Sequence, residues 1–133
     1  MSPAIFLALA VQTAPMPAID GRWTNPKRSV TMVIAPCGQS LCGTVEWASE
    51  EARADARKGT DELVGSQLLT DLRPRDGGRW QGKLFVPDKK MRVTAKLELV
   101  SAGQLKVSGC ALGKSLCRTQ YWTRAEESGG GER

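Results

Sequence analysis

The chain contains no histidine. That absence removes the general base on which serine and cysteine nucleophiles usually depend, and with it most hydrolases that work by covalent catalysis. It also removes a common nitrogen ligand of zinc, and neither cysteine pair has the C-x2-C spacing typical of structural zinc sites or dithiol redox centres. Carboxylates could still act as acid and base, but most fall in expected turns or in an alanine-rich segment and form no recognisable pair. A glycine-rich phosphate loop is missing as well, because SGGGER at the end of the chain follows no strand and opens no helix. The formal net charge of +5 comes from Lys and Arg scattered from Lys27 and Arg28 to Lys106 and Arg118, with no dense block. Such scatter speaks for a solvated surface and against nucleic acid as a partner. No apolar run approaches the ~20 residues that cross the hydrocarbon of a bilayer, so no stable membrane span is expected. No enzyme activity, cofactor or metal is expected of this chain.

A length of 133 residues makes one domain with one core. The N-terminus, MSPAIFLALAVQTAPMPAID, has no charged side chain before Asp20 and carries an apolar run from Ala4 to Val11, followed by the small residues Thr13 and Ala14. It is similar to the apolar core and cleavage region of a secretory signal, although the basic start is lacking; a disordered tail or a first strand is the alternative. The expected division is a signal-like segment over 1–18, a folded domain over 19–124 and a disordered tail over 125–133.

After residue 20 the pattern is of short strands separated by turn residues. In MRVTAKLELV, Met91, Val93, Ala95, Leu97 and Leu99 share one face, and Arg92, Thr94, Lys96 and Glu98 the other, the period of a half-buried strand. Val30, Met32 and Ile34 make a second such face, and WQGKLFVP, QLKVSG and LCRTQYWTR read as further strands. ASEEARADARKGTDE breaks the pattern. It predicts a short helix with Ser49 as N-cap and Gly59 beyond its end, loosely docked because its apolar content is alanine, or else a mobile loop or a ligand lid. The expected fold is all-β: a small antiparallel meander barrel of seven or eight strands with one short helix or loop insertion.

Cys37 and Cys42 flank one glycine-containing turn, and Cys110 and Cys117 flank another. In antiparallel hairpins such placements bring the Cβ atoms together across the ladder, so local bridges 37–42 and 110–117 are the first choice; the two crossed pairings stay open, because sequence does not fix connectivity. An even cysteine count and an apolar N-terminus agree on a periplasmic or secreted protein.

In order, DGRWTN, CGQSLCGTVEW, the central VGSQLLTDLRPRDGGRWQGKLFVPDKKMRVTAKLEL and LKVSGCALGKSLCRTQYWTR resemble the bacterial family DUF2147 over nearly all of residues 19–124. The resemblance implies a small exported β-barrel with no assigned activity. Two departures stand out: the charged EEARADARKG replaces an Asp and an Asn-Pro, and Lys90 and Val93 replace a glycine and an aromatic after VPD. A broader likeness is to lipocalin-like barrels. Gly21-x-Trp23 and Arg124 look like their G-x-W motif and closing arginine, which implies that Arg124 packs across Trp23 and shuts one barrel end; an ordinary buried tryptophan is the alternative.

Two functional classes follow. In the first, the barrel is a non-catalytic interaction module of the cell envelope with an unknown partner, and the strand face of Arg92 and Lys96 is a binding surface. In the second it carries a small apolar or amphiphilic ligand inside. The expected inward residues Met32, Trp80, Leu84, Val93, Leu97, Leu105 and Val107 are mostly bulky, which suits a filled interior and favours the module, as a monomer.

Overall fold

The structure, a computed structural model, describes residues 18–111 and 116–125. The signal-like segment up to residue 17 and the tail from residue 126 lie outside the described residues. Eight strands form an up-and-down antiparallel barrel closed in chain order: β1 (Gly21–Thr24), β2 (Val30–Cys37), β3 (Ser40–Ala48), β4 (Gln67–Arg75), β5 (Arg79–Val86), β6 (Met91–Ser101), β7 (Gln104–Ala111) and β8 (Leu116–Arg124). Among the described residues a single α-helix, α1 (Glu50–Ala56), interrupts the series, between β3 and β4.

The period-two pattern of β6 becomes its two faces. Ala95 and Leu97 are buried, whereas Arg92, Thr94 and Lys96 are exposed. Turn chemistry sets the connections. Asn25 accepts the amides of Ser29 and Val30 through its side chain, which shapes the β1–β2 turn. Helix α1 starts where the Ser49 hydroxyl accepts the Ala52 amide at 3.1 Å, and Glu50 and Glu51 in its first turn suit the positive end of the helix dipole.

The segment around α1 is seated more firmly than its alanine content predicts. Ala56 and Leu63 are buried, and Gly59 lies so close to the Pro87 carbonyl that no Cβ would fit between them. A second anchor comes from backbone bonds between Val45 of β3 and the loop at Gly65 and Ser66.

Trp23, Met32, Ile34, Leu69, Leu72, Leu97 and Leu105 form the fully buried heart of the barrel. Of the expected inward residues, Met32, Leu97, Leu105 and Val107 are buried, while Trp80, Leu84 and Val93 are half-buried. Glycines sit inward where bulky neighbours need the room. A Cβ on Gly43 would meet the Met32 sulfur at 2.8 Å, one on Gly82 the Thr70 carbonyl at 2.6 Å, and one on Gly109 the Val93 side chain at 3.1 Å. Large and small inward residues thus interlock as in a packed core.

Candidate functional site

One barrel end is closed by a strap. Residues 18–20 cross it with Ile19 fully buried, and the Trp23 indole Nε1 donates to the Ile19 carbonyl at 2.9 Å. Arg124, at the end of β8, lies over the Trp23 ring with its Cζ 4.3 Å from the centroid. Its guanidinium donates to three carbonyls: Nη2 to Ala18 at 3.0 Å, Nη1 to Asp20 at 2.9 Å and Nε to Ala102 at 2.9 Å. A planar fork with fixed donor directions suits three carbonyls on two segments better than a single ammonium would. Gly21 takes a positive φ of 126°, and a Cβ there would come within 2.8 Å of Arg124 Nη1. Gly21, Trp23 and Arg124 therefore meet in one tie.

The cysteines are joined Cys37–Cys42 and Cys110–Cys117, each bond spanning its own hairpin. The first staples the β2–β3 hairpin, and the second joins the directly paired residues of β7 and β8.

Arg92 and Lys96 lie on the outer surface of the barrel, and strand register gathers further cations around them. Across the sheet Arg73 pairs with Gln81, Gln81 with Lys96, Arg75 with Arg79, Arg79 with Glu98, and Glu98 with Lys106. Lys83 stands opposite Thr94. Arg92 stands opposite Phe85, with its Cζ 5.1 Å from the ring centroid, so an aromatic ring supports the cation from beside. The carboxylates on β4 to β7 are Asp71 and Glu98, and Asp71 is engaged by Arg73 Nε at 2.9 Å. A shallow depression of about 200 Å³ opens where β4 bulges at Asp71, walled by Arg73, Arg75 and Lys83 with Gln81 and Thr94. The sequence pointed to Arg92 and Lys96 but not to Arg73, Arg75, Arg79 or Lys83, because it takes the β4–β5 and β5–β6 pairings together to bring those four to the same face.

On the other side of the barrel an ion pair joins β1 to β3. There Arg22 grips Glu46 with two hydrogen bonds of 2.6 and 2.7 Å, which hold the Glu46 carboxyl below its usual range.

Toward the α1 end the interior is less tightly filled. Leu84, Val86, Met91 and Val93 occupy inward positions there yet remain half-buried. Arg118 pairs with Gly109, and Gln120 with Val107, which places both on the inward face in register; both are nonetheless exposed.

A family model described as an uncharacterised protein conserved in bacteria, DUF2147, matches residues 21–124. Among solved structures, the fold is similar to protein HP1028 from the human pathogen Helicobacter pylori, described as belonging to the lipocalin family. The TM-score is 0.63 at 11% sequence identity, over 84% of this chain and 86% of that one. No curated protein matches.

Proposed function

The chain belongs to the uncharacterised bacterial family DUF2147, and from that premise we propose that it is an exported, monomeric, non-catalytic interaction module of the cell envelope. Its basic outer face on β4 to β7 docks on an anionic envelope surface. One observation carries the reading: the small inward residues are filled by their neighbours, while Arg73, Arg75, Arg79, Lys83, Arg92, Lys96 and Lys106 stand together outside against two carboxylates. Two local disulfides support an oxidising compartment. No helix among the described residues is long and apolar enough to cross a membrane.

Co-sedimentation with vesicles tests it, comparing neutral phosphatidylcholine with mixtures containing phosphatidylglycerol. Each exposed cation near an anionic surface contributes about 1 kcal/mol, so reversing Arg92 and Lys96 to glutamate should weaken binding more than about tenfold. Binding should also fall steeply with added salt. Binding that ignores both salt and the double reversal overturns the proposal.

The carrier reading has one observation in its favour: the half-buried Leu84, Val86, Met91 and Val93 beneath the α1 end, with Arg118 and Gln120 beside them. A stoichiometric apolar probe displaced by an envelope lipid, with no effect of the charge reversals, would select it.

A further inference from the structure

The barrel is closed by its shortest strand. β1 meets β8 through two residue pairs, Trp23 with Arg124 and Thr24 with Thr123, and then turns away. From Arg118 to Trp122, β8 pairs with β7 on one side and, among the described residues, with no strand on the other. The hydrogen-bond phase shows which groups that leaves. The Arg124 amide donates to the carbonyl of Gly103, just before β7, and the Ala125 amide donates to that of Arg22 on β1. Alternation along the strand then directs the amides and carbonyls of Thr119 and Tyr121 away from β7, toward the side where β1 has ended. Arg118, Thr119, Gln120 and Tyr121 are all exposed, including the two whose register points inward.

The charge that β8 itself carries is of one sign. β8 carries Arg118 and Arg124 and no carboxylate. The turn that follows Thr24, the last residue of β1 paired with β8, adds the exposed Lys27 and Arg28.

We infer that the free edge of β8 is a docking edge for an extended acidic segment of a partner protein, which joins the barrel as an added strand. Unpaired backbone groups supply the affinity in such additions, and alternate side chains the selectivity. An inward-pointing charge at an edge discourages pairing with a like strand. Arg118 does so against a second copy of this basic chain, and it favours a strand that sets Asp or Glu opposite. The inference rests on the reading that this barrel works from its outside, but it uses a different flank from the basic face.

The probe is a synthetic peptide alternating valine and glutamate, compared with one carrying lysine in place of glutamate and one N-methylated at every second amide. Fluorescence anisotropy reports binding to the full chain, and amide hydrogen exchange reports Thr119 and Tyr121. The glutamate peptide should bind and slow exchange at both amides, and the two controls should bind about tenfold more weakly or worse, since each loses either charge pairing or several backbone bonds. Thr119→Pro, which removes a free-side amide, should abolish binding, while the double reversal at Arg92 and Lys96 should leave it intact. Should Thr119→Pro fail to fold, the exchange measurement on the unaltered chain decides alone. Amides already protected in the free protein would mean that the edge is covered by this chain's own N-terminal residues, or by a second copy if protection rises with concentration. Either result overturns the inference, as does equal binding of the N-methylated peptide.

Discussion

Replacing Arg124 by methionine isolates the tie at the closed barrel end. The variant keeps an unbranched stem over Trp23 and removes the guanidinium, so the hydrogen bonds to the carbonyls of Ala18, Asp20 and Ala102 are lost along with the contact over the ring. Bonds from a charged donor contribute ~1.5 to 3 kcal/mol where water is excluded. Arg124 is half-exposed, however, and water can reach the freed carbonyls, so about 1 kcal/mol each is the appropriate figure. The cation over the ring adds ~0.5 to 1 kcal/mol at such a site. With allowance for non-additivity the expected loss is about 3 kcal/mol, a drop of roughly 10 °C in Tm for a domain of this size. Urea unfolding of the full chain followed by tryptophan fluorescence measures it, and an unchanged m-value would show that the denatured state has not shifted. Arg124→Lys should recover only part, because one ammonium cannot reach three divergent carbonyls. A loss below about 1 kcal/mol would place Arg124 with ordinary surface charges, and the strap would then be held by Ile19 and the Trp23 indole alone.

Two further outcomes follow from single residues. Lys90 holds a left-handed conformation, φ 54° and ψ 41°, after the Pro87–Lys89 turn; relief of that strain by Lys90→Gly, offset by the freedom glycine gains when unfolded, should raise stability by ~0.5 to 1 kcal/mol in urea melts, and a decrease would contradict the account. Arg22 holds the Glu46 carboxyl below its usual value, so the stability it contributes is present above the ordinary carboxylate range and is lost as pH falls through the lowered folded value. Both side chains are more than a third exposed, which keeps the effect within about 1 kcal/mol. Glu46→Gln should accordingly lose less stability than the native chain between neutral pH and about pH 3, and parallel losses would refute the coupling.

Most of the strand framework was legible because its signals are local. The alternation of Met91 to Leu99, the stop at Pro87 and the cap at Ser49 each act within a few residues, and β6, the end of β5 and α1 fall where they say. β4 was not legible as a strand. Its apolar residues Leu68, Leu69 and Leu72 fit no period of two, because the strand bulges between Thr70 and Arg73 and Asp71 adopts φ 57°. The closed end was legible only by likeness: nothing local tells Gly21, Trp23 and Arg124 that they meet. Nor could spacing show that Ile19 would fill the end beneath them, since a lone apolar residue beside Asp20 reads as part of a tail.

The bulge in β4 links the filled interior to the basic exterior. Leu69 points inward, and strict alternation from it would send Asp71, Arg73 and Arg75 inward as well, and Leu72 out into solvent. One extra residue between Thr70 and Arg73 reverses that order, so Leu72 is fully buried and the two arginines stand outside, opposite Gln81 and Arg79. The reversal needs room on the neighbouring strand. The Thr70 carbonyl lies where a Cβ of residue 82 would be, 2.6 Å away, and the Leu72 side chain is 2.9 Å from the same point, so only glycine fits there. Gly82 is therefore both a core residue and a determinant of surface charge. The burial of Leu72 inside the barrel and the outer face that gathers cations depend on the same local break in the strand.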